Sequence, residues 1–440
     1  MQRKSNRQKC QTTRRTFLKS TGTLAAGLTL ARPMAAGAAK QETLALNGGP
    51  KAVANPPGIS PSRWPIYGET EEKAMLQLVK NPSYSPIAAL EEDWNEYFNC
   101  PYCKSHCNGT AALTSMFFAL DFPPGSEIMV PSYTFFATIV PMRLFGLVPV
   151  FVDINPRTLC FDLEDAKKRL TKNTKAVLPV HWIGLPCDMD QICDWANEKG
   201  LSVLEDACHA HGAKLKGKFM GLWGRMSAFS FQCSKPVPGI EGGMGMYQDQ
   251  NDYERATAYG HYGKCSGNHA KYRGTGLGVK LRIHPMAAAL ARAQLQGLEK
   301  RRADGVAQIQ SLNERIVQLP GLYEQTSNRK DMQRMRYALN MLFIDEKESG
   351  MSRSAAVKAL QAEGVRARAY GYRLQHKSAL YSEEQWWHHK PIIPELPGSE
   401  QANQTAISLP HFTSPVPELV EQYVKAFEKV WAHRNELAKA

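Results

Sequence analysis

The chain lacks the features that mark membrane, repeat and disulfide-stapled proteins. None of its segments has about eighteen continuous apolar residues, the length that a membrane-spanning helix needs. We therefore expect no stable membrane anchor. We find no internal repeat, and no low-complexity segment beyond residue 39. The ten cysteines show no regular pairing, which argues against a disulfide framework.

Residues 1–39 contain no Asp or Glu but carry eight Lys or Arg residues. Without them the net charge of +13 falls to about +5, so the chain does not indicate a nucleic-acid partner. Arg14 and Arg15 lie ahead of a mild apolar stretch at 24–30 and a small-residue stretch at 35–39, an order that resembles a bacterial twin-arginine export signal. We expect this signal to export the protein to the periplasm or another extracytoplasmic space. A disordered basic tail is the alternative.

Three cysteines lie close together in the chain. Cys100, Cys103 and Cys107 form a C-x2-C-x3-C pattern with His106 beside them. The second CxxC of a typical zinc site is missing, and no fourth ligand is obvious. We therefore predict buried thiols and no metal.

Residues 105–250 alternate short apolar runs with helical patterns. Near-continuous apolar runs are typical of strands buried on both faces, so the pattern predicts an α/β fold with a mainly parallel sheet flanked by helices. After the signal at 1–39, we expect a large domain with an N-terminal arm at 40–300 and a smaller α+β domain at 301–440. One long helix is expected at 286–301 and another at 418–437.

An acid and a lysine follow two successive strands of the predicted sheet. Asp206 ends the apolar run that begins at Leu201, and Lys235 follows the run 228–231. Ligands bind beyond the carboxyl ends of such strands. An acid and a lysine there suit pyridoxal 5'-phosphate (PLP): the amine forms a Schiff base with the cofactor aldehyde, and the carboxylate keeps the ring nitrogen protonated. Each residue alone is more often a surface or turn residue, so the prediction depends on both together.

A candidate phosphate site and a ring-covering segment lie upstream. Gly109 and Thr110 precede an amphipathic helical run, and the start of a helix is a natural anion site. An ordinary helix cap is equally compatible with these residues. Phe135 follows another strand and offers an aromatic ring for a flat cofactor, although core packing would use it equally well.

Taken together, these motifs resemble the DegT/DnrJ/StrS family of sugar aminotransferases, which are fold-type I PLP enzymes. The matches occur in order over nearly the whole chain after residue 39. They are Leu46-Asn47-Gly48-Gly49-Pro50, Gly109-Thr110-Ala111-Ala112-Leu113, Val130-Pro131-Ser132-Tyr133-Thr134-Phe135, Val150-Phe151-Val152-Asp153-Ile154, Pro179-Val180-His181, Glu205-Asp206-Ala207, Phe229-Ser230-Phe231 and Ser408-Leu409-Pro410.

The resemblance implies catalytic roles for Lys235, as the Schiff-base lysine, and Asp206, as the partner of the ring nitrogen. It implies that His209 contacts the phenolic oxygen or the ring of the cofactor. Phe135 would stack on that ring.

The resemblance also implies a phosphate site and a subunit arrangement. Thr110, Ala111 and Ser230 would bind the phosphate, and Lys280 would reach the phosphate of the neighbouring subunit, so a homodimer with shared active sites is implied. The chain departs from the family at Ile240, where glycine is usual before Glu-Gly-Gly.

The implied reaction is a transamination, in which an amino group passes from glutamine or glutamate to a keto sugar or keto-cyclitol. A PLP-dependent sugar dehydratase on the same fold is one alternative, but its members have lost the lysine that this chain retains at Lys235. A non-catalytic sensory or binding protein is another, but it predicts decay of a set in which both Lys235 and Asp206 are present.

Overall fold

The computed structural model describes residues 42–54, 62–335, 338–413 and 415–438. The predicted export signal at 1–39 lies outside these residues. The strands, in chain order, are β1 Tyr102–His106, β2 Glu127–Pro131, β3 Val148–Val152, β4 Thr174–Val177, β5 Ser202–Asp206, β6 Lys214–Leu215, β7 Lys218–Phe219, β8 Met226–Ser230, β9 Gly243–Tyr247, β10 Leu322–Glu324, β11 Met332–Gln333, β12 Leu339–Ile344, β13 Arg368–Ala369 and β14 Ala406–Pro410.

Helices lie between and around these strands. They are α1 Glu69–Lys80, α2 Ser85–Phe98, α3 Gly109–Ala119, α4 Leu163–Lys168, α5 Met189–Glu198, α6 Gln250–Gly260, α7 Pro285–Gln296, α8 Leu298–Ile316, α9 Glu346–Ser349, α10 Arg353–Ala362, α11 Ala379–Ser382, α12 Pro397–Thr405, α13 Pro417–Ala432 and α14 Arg434–Leu437. In the part of the chain that the structure describes, no helix is both long and apolar enough to cross a membrane.

The largest sheet has the strand order β1-β9-β8-β5-β4-β2-β3. The strands from β8 to β3 run parallel to one another, and β9 and β1 join antiparallel at one edge. Strands β2, β8 and β9 are buried along their whole length, as expected for strands covered on both faces. The prediction of a mainly parallel sheet between helices is thus met.

A second, antiparallel sheet has the order β10-β12-β14-β13 and shares a hydrophobic core with α8, α10 and α13. The arm at 42–54 joins this layer: the carboxylate of Glu363 accepts the N–H groups of Ala45 and Ala52 at 2.7 and 3.0 Å. Lys429 pairs with the same carboxylate at 3.0 Å. The predicted division at residue 300 stays a prediction.

The prediction of one continuous helix at 286–301 is wrong, because Gly297 separates α7 from α8. Glycine has low helix propensity. The guanidinium of Arg301 folds back over this break: a Cβ added at Gly297 would lie 2.4 Å from Arg301 Nη1. Arg301 Nη2 also donates to the Gln294 carbonyl, which satisfies an acceptor near the end of α7. The helix expected at 418–437 is likewise divided, at His433.

Candidate active site

Strand β5 places two carboxylates on opposite sides of the sheet, because successive strand residues point to opposite faces. Glu205 is fully buried and accepts the N–H groups of Gly221 and Gly224, each at 2.7 Å. His181 Nε2 lies 3.1 Å from the same carboxylate. These bonds secure the strand end, so that Asp206 is presented to the cavity on the other face.

The carboxylate of Asp206 is buried and held by neutral donors. Thr138 Oγ1 donates to Oδ2 at 2.7 Å, and the Cys208 N–H donates to Oδ1 at 3.1 Å. No Lys, Arg or His among the described residues forms a salt bridge with it. A buried carboxylate is costly without a cationic partner. It therefore suits the protonated ring nitrogen of PLP.

Lys235 lies in a tight turn after β8. Gln232 organises this turn: its Oε1 accepts Ser234 N–H at 2.8 Å and Ser234 Oγ at 2.6 Å, and its carbonyl accepts Lys235 N–H at 2.8 Å. Trp64 Nε1 donates to the Lys235 carbonyl at 3.1 Å. The turn positions a half-buried lysine on the same cavity as Asp206.

The start of α3 packs directly against the end of β8. A Cβ added at Gly109 would lie 2.9 Å from Ser230 Cβ, so only glycine leaves this cradle open. The Asn108 side chain accepts the Ala111 N–H at 2.8 Å. By helix geometry, the N–H groups of Gly109 and Thr110 are the ones without an intrahelical acceptor. Together with the Thr110 and Ser230 hydroxyls, they fit a phosphate.

One cavity of about 570 Å³ brings most of the predicted site together. The predicted residues that line it are Lys235, Asp206, Thr110, Phe135, His209 and Ser230. Ala111 is buried and is not among the residues that line this cavity. Lys280 lies instead on a second cavity of about 550 Å³, and Glu241 lines both cavities.

His209 and aromatic side chains form one wall of the first cavity. The Ile183 N–H donates to His209 Nδ1 at 3.3 Å, and the rings of His209 and Trp182 are 5.0 Å apart. Burial lowers the pKa of His209 well below its ordinary value, and the Lys235 charge adds to this shift. The imidazole is therefore neutral near pH 7, with its proton on Nε2.

Comparison with known proteins identifies the family. Residues 67–428 match the sequence profile of the DegT/DnrJ/EryC1/StrS aminotransferase family. The chain belongs to this family. It is similar to GDP-perosamine synthase from Escherichia coli O157:H7, with 34% identity over 210 residues, which are 48% of this chain and 57% of that protein. The match thus spans little more than half the length of that curated relative.

Solved structures agree over a longer part of the chain. The aminotransferase from Psychrobacter cryohalolentis has a TM-score of 0.76 and 25% identity, covering 84% of this chain and 99% of that one. DesI, solved in the presence of its TDP-sugar product, has a TM-score of 0.75 and 26% identity, covering 90% and 98%. The predicted fold class is confirmed. Membership of the family confirms the predicted class of PLP-dependent aminotransferase and its cofactor.

Several residues of this aminotransferase site were missed in the sequence. Thr138 contacts Asp206 across 68 positions, and no local pattern indicates that contact. Trp182 directly follows the family match at His181 and was detectable there. Tyr370 and Tyr372 reach the cavity from the segment that follows β13, far along the chain. The individual roles assigned to the predicted site residues stay predictions.

The departure at Ile240 has a structural consequence. Its φ is +67°, in the left-handed region that favours glycine and that is unusual for a β-branched residue. Its side chain is 57% exposed, so packing does not compensate for this conformation. The loop behind Lys235 thus keeps the backbone shape that glycine would favour, at a cost in stability.

The prediction of buried thiols in the C-x2-C-x3-C pattern holds for Cys100 and Cys103 and is wrong for Cys107, which is half-buried. Cys100 Sγ donates to Asn95 Oδ1 at 2.9 Å, and Cys103 Sγ donates to the Glu91 carbonyl at 3.3 Å. Cys107 lies on the second cavity beside Glu241.

Proposed function

We propose that this aminotransferase moves an amino group from L-glutamate or L-glutamine to a keto sugar or keto-cyclitol. The observation that carries the proposal is one cavity that combines Lys235, a buried Asp206 and a helix start suited to phosphate. The names of two relatives, GDP-perosamine synthase and DesI with its TDP-sugar product, support a nucleotide-activated sugar as the acceptor.

When bound, PLP supplies an aldehyde that exchanges amines and a ring that accepts electrons. Lys235 would hold it through the side-chain amine, and Asp206 would hold its ring nitrogen. Thr110, Ser230 and the start of α3 would hold its phosphate. Thr138 orients the Asp206 carboxylate by its 2.7 Å hydrogen bond.

Once the amino donor has taken its place, the free Lys235 amine would act as the base that removes the proton at the Cα of the donor and returns a proton to the product. His209 is too weak a base to compete for this proton, because burial lowers the pKa of its imidazole well below the ordinary value. Aromatic residues, including Trp182, line the cavity in which the transfer would occur.

The proposal is tested by absorbance spectroscopy of protein incubated with PLP. We expect a visible band that borohydride removes, that Lys235→Ala lacks and that the control Lys218→Ala, an exposed lysine, retains. L-glutamate or L-glutamine should convert this band, and a keto sugar should restore it. A protein that binds PLP but does not respond to donors would instead be a binding protein. Release of water from the sugar without net amination would indicate the dehydratase.

We further propose a homodimer with shared active sites. Lys280 lies on a different cavity from Lys235, and large apolar side chains beside the two cavities are exposed: Phe135 at 52% and Val279 at 57%. A mixture of Lys235→Ala and Lys280→Ala chains tests the proposal. If Lys280 serves the partner, random mixing restores about a quarter of wild-type activity, because half of the dimers regain one intact site. If it serves its own subunit, mixing restores none.

We also propose export by the twin-arginine route, supported by the adjacent Arg14 and Arg15 and the acid-free segment around them. A reporter fused after residue 45 should reach the periplasm, and an Arg14→Lys, Arg15→Lys variant should not. Equal export of both fusions would contradict the proposal.

A further inference from the structure

A smaller cavity of about 220 Å³ adjoins the PLP cavity. Ser234 and Ala338 line both cavities, and Pro236, which follows Lys235 in the chain, lines the smaller one. Its volume is below the roughly 300–1,000 Å³ of sites that enclose drug-sized ligands. It therefore suits one small group of a substrate that extends from the main cavity.

Arg301 provides the positive charge of this cavity. Its Nη2 donates to the carbonyls of Gln294 and Pro236, which are neutral acceptors. Among the residues that the structure describes, no carboxylate forms a salt bridge with Arg301, and its Nε is buried without a hydrogen-bond partner. Burial lowers the pKa of Arg301 to about 10, against a smaller opposing effect of Glu71. A bound anion would stabilise a partly buried guanidinium that has no carboxylate partner.

The other walls are shaped around this guanidinium. The Arg301 guanidinium carbon is 5.7 Å from the centre of the Trp64 ring. One turn further along α8, Gly305 leaves room for His411: an added Cβ would lie 2.6 Å from His411 Cε1. Glycine inside a helix costs about 1 kcal/mol relative to alanine. Here it lets an imidazole form the wall of the cavity beside α8.

We propose that this cavity is an oxyanion subsite for a substrate, with Arg301 as the residue that binds the anion. The planar guanidinium matches both a carboxylate, as in the amino donor, and a phosphate, as in an activated sugar. This inference rests on the proposed function, because it assigns one of that reaction's substrates to the cavity. Arg301 acts by binding and positioning, and takes no part in proton transfer.

The test uses the full-length protein loaded with PLP, which fills the phosphate site at the start of α3, and two probes, glutarate and inorganic phosphate. Binding is measured by calorimetry for the wild type, Arg301→Gln, Arg301→Lys and the control Arg302→Gln. Arg302 is the next residue of α8, pairs with Glu299 at 2.9 Å and does not line the cavity. We expect Arg301→Gln to lower the affinity for one probe by about tenfold or more, which corresponds to the loss of one hydrogen bond to a charged group. Arg302→Gln should leave the affinity unchanged. Arg301→Lys should restore part of the affinity.

Steady-state kinetics distinguish the two anions. If Arg301→Gln raises KM for the amino donor alone, with kcat little changed, the subsite binds the carboxylate of the donor. If it raises KM for the sugar alone, the subsite binds the phosphate of the sugar. If Arg301→Gln lowers Tm but leaves probe binding and both KM values unchanged, Arg301 only caps α7 and the subsite is overturned. The calorimetry does not require turnover, so a failure of the proposed reaction would be recognised separately.

Discussion

Removing the Thr138 hydroxyl tests whether Asp206 is a buried, ionised carboxylate. Both residues are buried, with 1% and 5% exposure, so water cannot replace the 2.7 Å bond between them. A hydrogen bond to a charged group contributes about 1.5–3 kcal/mol, against about 1 kcal/mol for a neutral one. Thr138→Val should therefore lower the free energy of unfolding by about 2–3 kcal/mol, and by only about 1 kcal/mol in an Asp206→Asn background.

The assay is urea unfolding of the protein without PLP, followed by tryptophan fluorescence at one pH and protein concentration. The bond between Thr138 and Thr134 is lost in both backgrounds, so it cancels in the comparison. Thr114→Val is the matched control, because Thr114 is buried and donates at 2.7 Å to a neutral backbone carbonyl. Thr114→Val should lower the free energy of unfolding by the same amount with and without Asp206→Asn. If Thr138→Val also lowers it equally in both backgrounds, the hydroxyl does not donate to a charged carboxylate and the reasoning is refuted.

Three further predictions concern strain, the phosphate cradle and pH. Ile240→Gly should raise the free energy of unfolding by about 1 kcal/mol, since it relieves a positive φ at an exposed residue; a loss of stability in urea unfolding would contradict this. Gly109→Ala should weaken PLP binding by about tenfold in an absorbance titration, because the added Cβ meets Ser230; unchanged affinity would place the phosphate elsewhere. Burial, with a smaller effect of Lys235, lowers the pKa of His211 to about 3, below its unfolded value. The contribution of neutral His211 to the free energy of unfolding is complete above about pH 6.5. It falls as the pH drops towards 3, by about 2 kcal/mol between pH 7 and 5. In urea unfolding at several pH values, His211→Phe should lose about 2 kcal/mol less stability than the wild type between pH 7 and 5. An unchanged pH dependence would contradict the lowered pKa of His211.

The sequence by itself determined the parts of this protein that depend on local order along the chain. Near-continuous apolar runs indicated strands buried on both faces, and the rule for parallel sheets then placed Asp206 and Lys235 just past the ends of two strands. The glycine and hydroxyl residues before α3 indicated an anion site, because a helix start has this property wherever it occurs. Family motifs added the cofactor and the reaction class.

Tertiary structure alone decided which side chains from distant segments meet. Thr138 reaches Asp206 across the sheet, and the Asn108 side chain accepts the N–H of Ala111, a residue that the family resemblance linked to phosphate. The break at Gly297 depends on where Arg301 folds back. Such contacts have no period or fixed spacing in the chain. They follow from packing geometry, where a few ångströms determine whether a group binds a ligand, a neighbour or a helix end.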